Sequence, residues 1–166
     1  MLRDTRLPEP LYNNRAKSFR YWAMTIAIKR VYEPASRQDG TRVLVDRLWP
    51  RGLTKENAAV DEWLRDLAPS NDLRRWYHAR PNLWDTFRKK YLKELAQPAC
   101  EEDLSRLYEL AGNSKRLTLL FASKMATHNN ASVLQELLEG RRKPPTGTGP
   151  AAGYGMRKRQ AAVRRR

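Results

Sequence analysis

TRVLVDRLWPRGL, residues 41–53, joins a short apolar segment to a charged loop. Val43, Leu44 and Val45 form a largely β-branched run that is typical of a buried strand. The loop that follows, residues 46–52, combines Asp, two Arg, an indole ring and a Pro. A sheet holds the backbone of such a loop while its side chains stay accessible to ligands, so the pattern predicts a functional site here.

Three further segments have the composition of strands. The predicted strands are Thr25 to Val31, Arg42 to Asp46 or Arg47, residues 61–67, and residues 117–123. The segment at 61–67 is ambiguous, because the spacing of Val60, Trp63, Leu64 and Leu67 alone favours a helix. Pro34 ends the first strand, since proline cannot donate to a ladder.

Helices are predicted between these strands. The expected helices run from Thr54 to Asn57 or Ala58, from Ser70 to Tyr77, from Pro81 through Leu95, from Pro98 to Ala111, and from Asn129 or Asn130 to Gly140. Thr54, Ser70 and Asn129 are good N-cap residues. Trp84, Phe87, Tyr91 and Leu95 recur at helical spacing and are expected in the core. The alternation of strands and helices predicts a single layered α/β domain with a mostly parallel sheet of about four strands.

The positive charge of the chain is concentrated near its carboxyl end. Of the net charge of +15, residues 1–23 contribute +3, residues 24–140 contribute +3 and residues 141–166 contribute +9. We predict a folded domain over 24–140 and a disordered basic tail over 141–166. Residues 1–23 are expected to form a flexible arm, or an upstream extension if Met24 is the original start. The tail supplies the charge for weak nucleic-acid binding.

Several protein classes do not fit this sequence. Cys100 is the one cysteine, so no intrachain disulfide forms, and a cytoplasmic location is the simplest expectation. No run of 18 apolar residues or signal peptide is present. Glycine-rich phosphate loops and a nucleophile elbow are absent, and one Cys with two His cannot form a zinc cluster. We therefore expect no metal and no cofactor.

Parallel strands bring the loops after their carboxyl ends to one edge of the sheet, where open α/β folds bind ligands. The loops predicted there contain cations, one carboxylate and one imidazole. The expected ligand-binding residues are Arg47, Trp49, Arg51, Lys124, His128 and Asn129. Arginine side chains bind carboxylates or phosphates in a bidentate manner, and a helix that begins near Asn129 adds a partial positive charge. The pattern predicts a pocket for a small anion.

Other interpretations of the same residues remain open. Asp46 and Arg47 are equally suited to closing the strand end as an ion pair, and Trp49 with Pro50 to covering the core. If the protein is an enzyme, His128 or Asp46 is the candidate proton-transfer group. Ser70 or Ser123 with His128 as base is a further alternative.

Several segments resemble a known family in order and spacing. The segments are IKRVYEP, VDRLWPRG, the LAPS-x-x-LR-x-W pattern at residues 67–76, WDTFRKKYLKEL, LTLLFASK and HNNASVLQELL. They resemble the YeaO-like branch of a bacterial family classed as a domain of unknown function, over about residues 26–139. The resemblance implies one α/β domain in a bacterial cytoplasm, includes the third strand, and brings no established reaction. Met125 stands where this family usually has the Asp of a Lys-Asp pair, which removes an acidic partner.

Three hypotheses follow for the function. The first is binding of a small anionic ligand at the strand ends. The second is an accessory role on nucleic acid through residues 141–166. The third is a protein-interaction module that docks through exposed Trp and Tyr residues.

Overall fold

A four-stranded, all-parallel sheet lies at the centre of the computed structural model, which describes residues 25–140. The strands are β1 (Thr25–Arg30), β2 (Thr41–Leu44), β3 (Glu62–Trp63) and β4 (Arg116–Phe121). The helices are α1 (Lys55–Ala58), α2 (Asn71–His78), α3 (Trp84–Leu95), α4 (Glu101–Asn113) and α5 (Asn130–Leu138), with short 3₁₀ turns at Arg37–Asp39, Arg65–Leu67 and Pro98–Cys100. The arm predicted over residues 1–23 and the tail over 141–166 lie outside the described residues.

The order of strands in the sheet is β1-β4-β2-β3. Among the described strands, the last one, β4, therefore lies between β1 and β2, and pairs with β1 along its whole length and with β2 from Thr41 to Leu44. The prediction of an α/β fold with a mostly parallel sheet of about four strands is confirmed.

The third strand is shorter than predicted. Only Glu62 and Trp63 pair with β2, and residues 65–67 form a 3₁₀ turn instead of continuing the strand. Leu64 and Leu67 are both buried, and a three-residue spacing places two side chains on the same side only in a helical turn. The helical spacing of Leu64 and Leu67 therefore correctly indicated a helical turn in the second half of this segment.

The two faces of the sheet are covered differently. Val43, Val45 and Leu119 point to a large core formed with α2, α3, α4 and α5, called here the helix-side core. Leu44 and Leu120 point the opposite way, to a smaller cluster with Val31, Ala58 and the ring of Trp49, called here the loop-side core. Successive residues of a strand alternate between faces, and this alternation separates the two cores.

Polar caps begin three of the helices as predicted. Thr54 accepts a hydrogen bond from the N–H of Asn57 at the start of α1. Ser70 accepts a hydrogen bond from the N–H of Leu73, and Asn129 accepts one from the N–H of Ser132. The predicted start of α3 was wrong: Pro81 lies in a turn, and the helix begins at Trp84. The end of α4 also differs, since the helix continues through Gly112 to Asn113. Leu104, Leu107 and Ala111 of this helix are buried, as its spacing predicts.

A buried ion-pair network lies on the loop side of the sheet. Asp39 contacts Lys29 Nζ at 3.1 Å and also the guanidinium of Arg42, which is 4% exposed. Arg42 also donates to the carbonyls of Ala58 and Ala59. This network holds the connection between β1 and β2 against the end of α1. Within residues 25–140, no helix is long and apolar enough to cross a bilayer.

Candidate functional site

The loops that follow the carboxyl ends of the strands diverge around the end of β4. The connection after β4 leads to α5 in the helix-side core, whereas the connections after β1 and β2 place Val31 and Trp49 in the loop-side core. Loops that leave neighbouring strands toward opposite faces open a crevice between them, which is the usual ligand site of open α/β sheets. We call this region the carboxyl edge.

The backbone of Ala122, directly after β4, is contacted from both neighbouring strands. Its N–H donates to Asp46 Oδ2 at 2.7 Å, and its carbonyl accepts from Arg30 Nε at 3.2 Å. Asn130 Nδ2 donates to Asp46 Oδ1 at 3.1 Å and to the carbonyl of Val45 at 3.0 Å. These bonds connect the exits of β1, β2 and β4 with the first residue of α5.

Both carboxylate oxygens of Asp46 are thus hydrogen-bonded. Burial raises the pKa of Asp46 above its ordinary value, against the opposing effect of the Ala122 and Asn130 hydrogen bonds and the charge of Arg74. The backbone carbonyl of Asp46 also accepts from Trp63 Nε1 at 2.8 Å. Asp46 closes the end of β2, and its partners are Ala122 and Asn130 rather than Arg47.

Arg47 turns toward the segment after β3. Its Nη2 donates to the carbonyl of Ala68 at 3.3 Å, while its Nε is buried without a hydrogen-bond partner among the described residues. The side chain is half-buried, so part of it remains accessible at the carboxyl edge.

The LAPS segment, residues 67–70, is held by side chains from α3. The hydroxyl of the fully buried Tyr91 donates to the carbonyl of Leu67. Glu94 accepts from the N–H of Ser70 at 2.8 Å and from its hydroxyl. Nearby, Cys100 Sγ donates to the carbonyl of Asp66, and burial with neighbouring acids raises the pKa of this thiol. This motif therefore has a structural role, and Ser70 Oγ has no hydrogen bond with His128 among the described contacts.

Trp49 covers the loop-side core. Its Nε1 donates to the carbonyl of Leu53 at 2.7 Å, and its ring meets the ring of Trp63 edge to face with centroids 5.4 Å apart. Pro50 beside it is buried. Of the two interpretations of this Trp-Pro pair, the contacts favour the one in which it covers the core.

Arg51 and Lys124 are exposed at the carboxyl edge. The carbonyl of Arg51 accepts from the hydroxyl of Tyr32 at 3.0 Å, so the loops after β1 and β2 meet across the position of β4. The guanidinium of Arg30 lies 4.9 Å from the centroid of the Tyr32 ring. The carboxyl ends of three neighbouring strands therefore each carry a cation, with Arg30 as the last residue of β1 and Arg51 and Lys124 in the loops after β2 and β4.

His128 and Asn129 form the start of α5. Asn129 is buried and caps the helix, and its Nδ2 donates to the carbonyl of Met125 at 2.7 Å. His128 has φ +55°, and its exposed ring stacks on Trp84 with centroids 4.8 Å apart. The hydroxyl of Tyr77 donates to the His128 carbonyl. Within the described residues, no hydrogen bond joins His128 to Asp46.

The role of Asn130 at the carboxyl edge was not predicted from the sequence. Asn130 was expected only as an alternative cap, yet its amide joins β2 to α5 through Asp46 and Val45. The pair of adjacent Asn residues was the available signal, because one of them suffices as a cap. Over residues 25–140, no group of three or more His, Cys, Asp or Glu residues is placed to hold a metal ion.

Comparison with known proteins places the chain in a family. A family model described as the inactive DUF488-N3 subclade matches residues 25–151. The uncharacterized protein YeaO of Escherichia coli is 47% identical over 115 residues, which are 69% of this chain and 97% of that protein. An uncharacterized protein of Mycobacterium tuberculosis is 41% identical over 116 residues, which are 70% of this chain and 95% of that protein. No solved structure matches the chain significantly. The chain therefore belongs to the inactive DUF488-N3 subclade, in the YeaO-like branch of this family of unknown function.

Proposed function

We propose that the protein binds a small anionic ligand at the carboxyl edge, around the end of β4. The observation that carries the proposal is that Arg30, the last residue of β1, donates to the carbonyl of Ala122, while the loops after β2 and β4 add the exposed cations Arg51 and Lys124 at the same edge of the sheet. Cations from separate loops around a crevice favour a carboxylate or phosphate ligand.

Two further features support an anion at this place. The nine-residue helix α5 begins beside the crevice, and the N-terminus of a helix carries a partial positive charge. The carboxylate of Asp46, at the exit of β2, is already hydrogen-bonded, so it repels an incoming anion less than a free carboxylate would. In this proposal Arg47 and His128 border the ligand, and Asn129 acts through the cap of α5.

The proposed activity is binding rather than catalysis. The subclade is described as inactive. The two proton-transfer candidates also lie in separate environments, with Asp46 in a hydrogen-bond network and His128 on the ring of Trp84. We place this binding in the cytoplasm, because the lone Cys100 suits a reducing compartment.

The test is a thermal-shift screen of the full chain against anionic metabolites and nucleotides. A ligand at one hundred times its Kd stabilises the folded state by about 2.7 kcal/mol, which raises Tm by several degrees. A hit is then titrated against two double variants, Arg51→Ala with Lys124→Ala, and the control Arg37→Ala with Lys115→Ala. Each pair removes one exposed Arg and one exposed Lys, but the control cations lie away from the carboxyl edge.

We expect the first variant to bind at least about tenfold more weakly, because it loses two charged contacts. The control should bind like the wild type. Equal losses in both variants, or a screen without hits among small anions, would overturn the proposal. A response to oligonucleotides alone would favour nucleic-acid binding over a small-anion site, and would not by itself assign that binding to residues 141–166.

A further inference from the structure

The positive charge of the folded domain is concentrated in one helical hairpin. Residues 71–95, which form α2 and α3, hold seven Lys or Arg against three acids. The remainder of residues 25–140 holds twelve basic residues against thirteen acids. A surface with such local excess attracts polyanions, although the domain as a whole is only mildly basic.

An indole ring lies within this basic region. Trp76 of α2 is half-buried against the helix-side core. The Arg80 guanidinium lies 5.7 Å from the ring centroid, and Lys90 Nζ of α3 lies 5.2 Å from it. Arg80, Lys90 and Lys93 are exposed. We call the region formed by Trp76, Arg80, Lys90 and Lys93 the α2–α3 surface.

The same hairpin carries a second indole ring beside a cation. Trp84 at the start of α3 is half-buried, stacks on His128 and has the Arg88 guanidinium 5.9 Å from its centroid. Arg88 is also paired with Glu136 at 3.5 Å, so its charge is partly compensated. The cations of the α2–α3 surface are therefore better available to an external polyanion than the partly compensated Arg88 beside Trp84.

We propose that the α2–α3 surface binds single-stranded nucleic acid. Nonspecific single-strand sites combine aromatic rings, on which bases stack, with Lys and Arg that contact the phosphates. Trp76 supplies the ring, and two cations, Arg80 from the turn after α2 and Lys90 from α3, lie within 6 Å of its centroid. An acidic protein would pair with the cations but would gain little from the ring. This proposal is independent of the anion site at the carboxyl edge and of the tail at residues 141–166.

The experiment measures fluorescence anisotropy of labelled oligo-uridine and oligo-thymidine with the full chain, over a range of salt concentrations. The test variant is Arg80→Ala with Lys90→Ala, and the matched control is Arg37→Ala with Lys115→Ala, so that both lose one Arg and one Lys. All four side chains are exposed, and these changes leave the core intact. Trp76→Phe is a third variant, which keeps an aromatic ring against the core but removes the larger indole surface.

We expect Arg80→Ala with Lys90→Ala to weaken binding by about tenfold and to reduce the salt slope by about 0.7 for each lost phosphate contact. Trp76→Phe should weaken binding without a change in the salt slope, because the charge is unchanged. Truncation of a stacked ring costs about five- to a hundredfold per base, so the smaller Phe should give a loss near the lower end.

Three results would overturn the proposal. The first is no binding of either oligonucleotide by the full chain. The second is an equal loss in Arg80→Ala with Lys90→Ala and in its control, which would assign binding to overall charge or to residues 141–166. The third is displacement of the oligonucleotide by poly-glutamate at the same charge concentration as by unlabelled oligo-uridine, which would identify an acidic protein as the partner. A difference between the two oligonucleotides would distinguish RNA from DNA.

Discussion

Two Asp-Arg pairs of the same spacing lie in opposite environments, which allows a direct test of burial. Asp39 and Arg42 have side chains that are 10% and 5% exposed, whereas Asp72 and Arg75 are 93% and 74% exposed. Both pairs are three residues apart. The substitutions Asp39→Asn and Asp72→Asn therefore remove the same charge from the same kind of pair.

The expected costs differ because only one arginine is left in the interior. Removal of one partner from a buried ion pair costs about 3–5 kcal/mol, since the other charge is then uncompensated. Arg42 keeps its hydrogen bonds to Ala58 and Ala59, and Lys29 keeps its bond to the Pro34 carbonyl. We therefore expect the low end, about 3 kcal/mol, for Asp39→Asn. Asp72→Asn should cost less than about 1 kcal/mol, for an exposed pair in the first turn of α2.

Urea unfolding of the full chain, followed by circular dichroism, measures both free energies. Burial alone would raise the pKa of Asp39, but hydrogen bonds from the N–H of Ser36, from Lys29 and from Arg42 outweigh it and hold the pKa below its ordinary value of 3.8. Its stabilisation is therefore complete above that value and is lost as the pH falls through the lower pKa of the folded state. The difference between wild type and Asp39→Asn should shrink on acidification. Equal costs for the two variants at neutral pH would refute this reasoning.

Two more matched pairs test the packing. Gly40→Ala and Gly140→Ala share a positive φ, of 65° and 69°, but a Cβ at Gly40 would lie 2.2 Å from the Arg116 carbonyl oxygen while Gly140 has open space around it. Gly140→Ala should lower the free energy of unfolding by about 1–2 kcal/mol, because alanine is strained in a left-handed backbone, and Gly40→Ala should lower it distinctly more. Equal urea midpoints for the two variants would contradict the close contact between Gly40 and Arg116. Tyr91→Phe leaves the Leu67 carbonyl without its buried donor and should cost about 2 kcal/mol, whereas Tyr32→Phe at the exposed carboxyl edge should cost under about 0.5 kcal/mol. If thermal unfolding gave the same Tm for Tyr91→Phe and Tyr32→Phe, this result would contradict a structural role of the Tyr91 hydroxyl.

Local chemistry made several elements predictable. Ser70 and Asn129 satisfy the first N–H groups of their helices, and that need exists in any tertiary setting. The apolar run at 117–123 is too short for a helix and became the central strand β4. These signals act over three or four residues, so the sequence contains all that they require.

Long-range contacts set the features that were not predicted. The segment after β3 turns at residue 65 because Leu64 and Leu67 both pack in the helix-side core. The loop that follows is held by Tyr91 and Glu94 of α3, which lie more than twenty positions further along the chain. Asp-Gly is a common turn pair, so the local sequence at Asp39 and Gly40 indicates only a turn, yet Asp39 is the centre of a buried ion-pair network. A local sequence pattern does not indicate which helix will cover a loop.

The sequence by itself determined the class of fold, the helix caps and the order of strands and helices, because periodicity and capping are properties of neighbouring residues. Only the tertiary structure decided that β4 inserts between β1 and β2, that Asp46 is hydrogen-bonded to Ala122 and Asn130, and that Lys90 of α3 and Arg80 of the turn after α2 lie near the ring of Trp76. These arrangements join residues that are up to 91 positions apart, as between Thr25 of β1 and Arg116 of β4. Their physical basis is the burial of two unlike faces of one sheet, which selects a topology that local propensity does not encode.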